Sequence, residues 1–439
     1  MGRILFQDAN LIDGDGPPRP GVTVVVDGER IAEVLPGPPA AVAEDDRVID
    51  LAGKSLMPGL VLCHFHAVFY DGPSRPAPSL GLEHTPTLLA LFAEKHVALA
   101  LECGVTSLMS ASCPHQIDPS IRDAIKLGLI PGRRMWAASH ELCSSGDVID
   151  AQNLFWHYEL GNAGSTRKVD GPDGFREVVR EEIAWGADIV KLNVSGGHGV
   201  SPAGELMSVS PEELRAAADA AHLRGKKVRA HVASKPGILE CARAGFDVFD
   251  HADRMDAECI DAILEAGSFV VPSMMFPKRY LEVMESVDLD QERPLMPGMP
   301  RIESVPDLKR RIRGIREDFE HTRSILPEAH AAGVKMLMGD DYGTGLLQQG
   351  EYATELAFYV EELGFEPLDV IRWATRNGAE AMASGDDLGT IAEGKLADLL
   401  VIDGDPVADI ACLQDRSRML AVMKGGYFTK DALAPLQTR

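Results

Sequence analysis

The 439-residue chain is short of positive charge: 43 Lys and Arg face 67 Asp and Glu, a formal net charge of −24. A surface that negative repels nucleic acid and anionic membranes, which excludes polyanions as partners and says nothing of the fold. Long hydrophobic runs are missing too, none approaching the ~20 residues of a membrane span. The start, MGRILFQDANLIDGDG, lacks the basic stretch and apolar core of a secretory signal. Phe6 stands where N-myristoylation of Gly2 needs Ser or Thr. Seven cysteines, odd in number and scattered, make neither a disulfide framework nor a zinc-ribbon spacing. No GxGxxG, P-loop or Gly-x-Ser-x-Gly appears in the context that nucleotide-binding or serine-hydrolase chemistry needs. With hydrophobic residues at 45% and charged residues at 25%, the composition is that of an ordinary globular protein. The expected location is cytoplasmic.

What is present is one local pattern, repeated: an amphipathic helix, a glycine, then a short apolar strand. HVALALECGVTSLMSAS turns at Gly104, FREVVREEIAWGADIVKLNVSGG at Gly186 and PEELRAAADAAHLRGKKVRAHV at Gly225. GILECARAGFDVFDHAD, CIDAILEAGSFVVPSMM and LPEAHAAGVKMLMGDD repeat it at Gly245, Gly267 and Gly333. Glycine suits the left-handed cap that ends a helix before the chain enters the next strand. Strands alternating with helices indicate βαβ units and a parallel sheet. With SLMPGLVLCHFH and LIPGRRMWAASHE the count reaches eight strands, and eight such units close most economically as an α/β (β/α)8 TIM barrel. The ends read differently. GVTVVVDGERIAEVLPG near the start, and LGTIAEGKLADLLVIDGDP with MLAVMKGGYFT near the finish, alternate and are punctuated by turns. The expected organisation is a barrel over 57–383, with residues 1–56 and 384–439 pairing as one small β-sandwich. Residues 277–312 interrupt the rhythm and are long enough for an active-site lid, or for a plain surface excursion.

Several strand ends carry chemistry. In LCHFHAVF, His64 and His66 are two apart, so both project from one face of an extended chain. At the C-terminal mouth of a barrel, two neutral imidazoles suit a zinc-like ion. Lys191 sits inside the apolar strand DIVKLNVSGG, where an ammonium is costly unless a carboxylate pairs with it. His231 ends VRAHVAS, His251 ends DVFDHAD, and Asp340 and Asp341 end MLMGDDYGTG. Each alone is more often structural; four histidines, a buried lysine and an aspartate on strand ends of one barrel point to a metal centre.

The order His-x-His, Lys, His, His, Asp, carried by LMPGLVLCHFH, GADIVKLNVSGG, VRAHVASKPGILECARAGFDVFDHAD, VVPSM and GTIAEGKLADLLVIDGDP, resembles the amidohydrolase superfamily over nearly the whole chain. Within it the chain is similar to the imidazolonepropionase-like branch, with Xaa-Pro dipeptidases, other metal carboxypeptidases and ochratoxin-degrading amidases. Molinate and phenylurea hydrolases are also similar. The resemblance implies two divalent ions, zinc first, with manganese, cobalt or nickel as alternatives. It places His64 and His66 on the more buried ion, a carboxylated Lys191 between both, and His231 and His251 on the second. Asp341 would bind the first ion and take the proton of the bridging water. The usual Gly-Thr-Asp reads Gly339-Asp340-Asp341, so Asp340 stands at the Thr position and is expected to face away along the strand. Cys63 stands where the family often has Asp, and the Gly-Gly-His often found after the third strand is absent. His198, in SGGHG after the fourth strand, is the substitute candidate for bonding a substrate carbonyl, with a turn histidine as the plain alternative. The expected catalytic set is Asp341, His251 and His198.

The implied reaction is hydrolysis of an amide C–N bond in a small molecule by a symmetric homo-oligomer. A peptide-like or N-acyl amino acid substrate needs a cation for its carboxylate, and Lys278 and Arg279 are the candidates. A neutral carbamate, urea or anilide needs an apolar pocket instead. Phe69, Tyr70, Trp136, Met274, Met275 and Phe276 could line one, although barrel packing is the commoner fate of such residues. A metal-free assembly protein of this fold would show losses among the six ligand positions, and all six are filled.

Overall fold

The computed structural model of the chain describes residues 2–70, 84–132, 134–154, 159, 161–198, 206–290 and 304–433. Among them the strands fall into three sheets. The alternating N-terminal residues form Ile4–Leu11, paired antiparallel with Arg19–Asp27, which pairs with Arg30–Leu35 around the Gly28 turn. The C-terminal strands join the same sheet: Leu399–Ile402 runs antiparallel to Ser55–Pro58, followed by Met419–Lys424 and Tyr427–Asp431. Its inward-facing residues, among them Phe6, Val24, Leu56, Leu399, Val401 and Met423, form a core separate from the main one.

Between these ends the strands are parallel. Leu60–Leu62, Val105–Met109 and Arg134–Trp136 form one sheet. Ala138–Cys143, Ile189–Asn193, Lys227–Val232, Val248–His251, Phe269–Val271 and Lys335–Met336 form the other, with Thr166–Lys168 outside Ala138–Cys143. Only Ala137 separates the two sheets along the chain, and the Cys63 N–H donates to the Met338 carbonyl at 2.7 Å on the far side. The strands read as continuous apolar runs because helices cover them. Those helices start where local chemistry says. Ser210 and Glu213 form a capping box before Pro211–His222, and Ser234 and Ser304 cap Lys235–Ala244 and Val305–Ala332. Lys235–Ala244, Ala257–Ala266 and Val305–Ala332 end on left-handed Gly245, Gly267 and Gly333, as the helix–glycine–strand pattern requires.

The region after the seventh strand differs from its expected reading. Met275 and Phe276 do not extend that strand; they open a helix, Met275–Ser286. Of residues 277–312, the described part is the rest of this helix, the turn to residue 290 and the start of Val305–Ala332. Residues 291–303 lie outside the described residues.

Candidate metal centre

His64 and His66 follow the strand Leu60–Leu62, and Asp341 follows the last parallel strand. Gly339 brings them together. Its φ of 156° and missing side chain let the chain pass so close that a Cβ there would stand 2.2 Å from the His64 backbone nitrogen. The Nε2 atoms of His64 and His66 are 3.3 Å apart, and they lie 3.0 and 3.2 Å from the same Asp341 oxygen, Oδ1. Phe69 stacks on the His66 ring at 4.2 Å.

The other strand ends complete the cluster. Lys191 is buried, with Nζ 2.5 Å from Asp250 Oδ2. The rings of His231 and His251 are 4.5 Å apart, and His198 stacks on His251 at 3.6 Å and 17°. His198 is fixed by Asp253, which lies 3.0 Å from its Nδ1 and accepts its backbone N–H at 2.9 Å. Donor atoms of His64, His66 and Asp341, and again of His198, His251 and Asp341, lie within 4.8 Å of one another; His231 stands in neither group. Stacked, nearly parallel rings do not aim their in-plane lone pairs at one point. The stacking of His198 on His251 is therefore a poorer geometry for a shared ion than the His64, His66 and Asp341 group.

Four buried ring nitrogens here have no hydrogen-bond partner among the described residues: His64 Nδ1, His198 Nε2, His231 Nε2 and His251 Nδ1. Buried polar atoms are nearly always paired, so a cluster of orphans marks where other atoms belong. Burial pushes the His66 pKa down and, with the Lys191 and His198 charges, takes His231 to about 3. Burial likewise holds His251 well below its ordinary value. Burial opposes the charge on His64, but Asp250 and Asp341 outweigh it and raise that pKa. Burial would raise Asp341; the charge of His64 and the bonds from both histidines hold it well below the usual range. The imidazoles held unprotonated, those of His66, His231 and His251, together with an ionised carboxylate are donors of the kind a divalent cation takes.

Asp340 has a different occupation. Its carboxylate accepts the Met275 and Phe276 N–H groups at 2.8 and 3.3 Å, at the start of Met275–Ser286, and so caps that helix. Burial, then Asp341, raises its pKa to about 7. The Cys63 thiol is buried on the side facing Gly378, away from the centre, and burial raises its pKa to about 12. Met274 borders a small cavity with His198, Asp253, Ile315, Asp318 and Phe319. Tyr70 stacks on Phe92 rather than on the histidines. Lys278 pairs with Glu282 and Glu362, and Arg279 with Glu282, so neither cation is brought to the cluster by a contact.

Three residues of the cluster were missed in the sequence: Asp250, Asp253 and Arg229. Their signal was present in FDHAD, where two acids flank His251, and in VRAHV, where Arg229 shares a face with His231. Glu141 is a fourth, paired in register with Lys191; burial raises its pKa while the Lys191 charge opposes the rise.

Parallel strands alternating with helices, with histidines and aspartate gathered at their ends, define an α/β protein with a candidate metal site. Residues 55–428 match the amidohydrolase family, and the chain belongs to that family. It is 27% identical to ochratoxinase of Aspergillus niger over 444 residues, covering 96% of this chain and 85% of that protein. It is 25% identical to imidazolonepropionase of Chromobacterium violaceum, covering 87% and 85%. A crystal structure of a Xaa-Pro dipeptidase with methionine bound in the active site superposes with a TM-score of 0.82 at 25% identity, covering 98% and 100%.

Proposed function

We propose that the chain is a metal-dependent amidohydrolase that cleaves the C–N bond of a small N-acyl, peptide-like or aryl amide. The observation that carries this is the convergence of five imidazoles, Lys191 and Asp341 in one buried cluster with four unpaired ring nitrogens. In this reading the parallel strands close as a (β/α)8 barrel over 57–383, supported by the Cys63–Met338 bond. The sheet from 1–56 and 384–439 folds as a two-layered sandwich beside it. A homo-oligomeric state and a cytoplasmic location belong to the same proposal.

His64, His66 and Asp341 would hold one ion, His231 and His251 the second, and Lys191, carboxylated on Nζ, would span them. Zinc is proposed, with manganese, cobalt or nickel as alternatives. Bound ions would polarise the amide carbonyl and bring the pKa of a water to about 7. Carboxylation would convert the buried Lys191 ammonium into an anionic ligand: one proton leaves to give the free amine, and a second leaves as its nitrogen bonds to carbon dioxide. Asp341 accepts the proton of the attacking water and delivers it to the leaving nitrogen. His198, held by Asp253, directs its unpaired Nε2 toward the substrate carbonyl.

The names of the relatives, an ochratoxinase and a Xaa-Pro dipeptidase, favour an amide. A second reading, a neutral carbamate or phenylurea, is favoured by the pairing of Lys278 and Arg279 with glutamates and by the apolar Phe69 and Met274 near the cluster. The test is a panel of N-acyl amino acids, Xaa-Pro dipeptides, aryl amides, carbamates and phenylureas given to metal-loaded protein. Amide turnover is expected. Turnover of carbamates or ureas alone would favour the second reading, and none at all would overturn both.

A further inference from the structure

Asp250 is outside the proposed ligand set, yet its carboxylate contacts two members of that set, Lys191 and His64, and the Arg229 side chain. It is fully buried and immediately precedes His251. In an extended strand the two side chains would take opposite faces. His251 has a φ of 78°, which breaks the alternation, and both side chains reach the His64 ring. Asp250 Oδ2 accepts from Lys191 Nζ at 2.5 Å and from Arg229 Nε at 3.0 Å. Oδ1 accepts from Arg229 Nη2 and lies 3.3 Å from His64 Nδ1, within ion-pair reach but off hydrogen-bond geometry. His64 Nδ1 has no other partner.

Arg229 fixes where this carboxylate can be. It is fully buried, grips Asp250 with two nitrogens, and donates Nη1 to the carbonyls of Cys63 and Ser110, both at 2.9 Å. One guanidinium therefore ties Asp250 to the backbone immediately before His64. Two-point contacts of this kind add geometric constraint as well as energy.

We propose that Asp250, held by Arg229, is a positioning residue for the metal centre. It accepts a hydrogen bond from His64 Nδ1–H, which leaves the Nε2 lone pair for the first ion, and it accepts one from the N–H that Lys191 keeps after carboxylation. Metal-bound histidines commonly give their second nitrogen to a carboxylate, and losing that partner weakens metal binding by about 10–100-fold. The inference rests on the proposed metal centre.

A purely structural ion pair makes a different prediction, because a buried pair can often be replaced by apolar residues of similar volume without loss of stability. The experiment is cobalt(II) and zinc binding to chelator-stripped protein, by competition with a chromophoric chelator, with thermal unfolding of the same samples. Asp250→Asn is expected to bind the tighter ion about 10–100-fold more weakly. The double variant Arg229→Met/Asp250→Leu is expected to fold and still to bind at least about tenfold more weakly. Wild-type affinity in either folded variant overturns the inference. His64→Asn tests the parent reading separately: binding equal to wild type there would remove the metal centre itself, and Asp250's role with it.

Discussion

Asp340 and Asp341 are chemically identical neighbours in opposite circumstances. Asp341 faces two imidazole nitrogens and is held ionised, whereas Asp340 takes backbone N–H groups of a helix and is raised to about 7. Asp341→Asn should therefore keep its bound metal and lose about 10²–10⁴-fold in kcat. Asp340→Asn should turn over within a few-fold of wild type and lose about 1 kcal/mol of stability from the weakened cap. Metal content, kcat and unfolding of the two variants check this, and an active Asp341→Asn beside a dead Asp340→Asn would reverse the roles. At this scale spacing was informative for His64 and His66, and a charge inside an apolar strand was informative for Lys191. Asp250 and Asp253 showed only as two acids flanking His251, and an acid beside a strand end reads equally well as solvated surface. Only the packed structure reveals that Asp250 meets Arg229, Lys191 and His64.

Among the elements, those with local signals were readable. Gly245 and Gly333 end Lys235–Ala244 and Val305–Ala332 as the helix–glycine–strand pattern suggests. Met275–Ser286 has no such signal, because Met274 offers no capping side chain. Its first N–H groups are taken by Asp340, 65 residues along the chain from Met275, and no local pattern can show a cap that distant. Gly339 is the element-scale counterpart, since it lets the last parallel strand pass against His64. Gly339→Ala would press a Cβ onto the His64 backbone and strain a φ of 156°. It should cost at least about 2 kcal/mol by denaturant unfolding and weaken metal binding with it. A variant of wild-type stability and affinity would contradict the close approach.

For the whole molecule, the repeat of helix, glycine and strand was enough to foresee parallel strands in sequence order. The pairing of Leu399–Ile402 with Ser55–Pro58 could be expected only as two β-rich ends in search of partners. Their register depends on contacts more than 300 residues apart in the chain, which no local pattern encodes. The charge of −24 bears on which partners to expect and says nothing of the fold. What the molecule assembles from its strand ends is one buried group of imidazoles and carboxylates, proposed to work through divalent metal. The most direct measurement is amide turnover by the same protein before chelator treatment, after it, and after zinc, manganese or cobalt is restored, with bound metal counted at each stage. The account predicts turnover that disappears with the metal and returns with it. Full turnover by protein shown to be metal-free would contradict it.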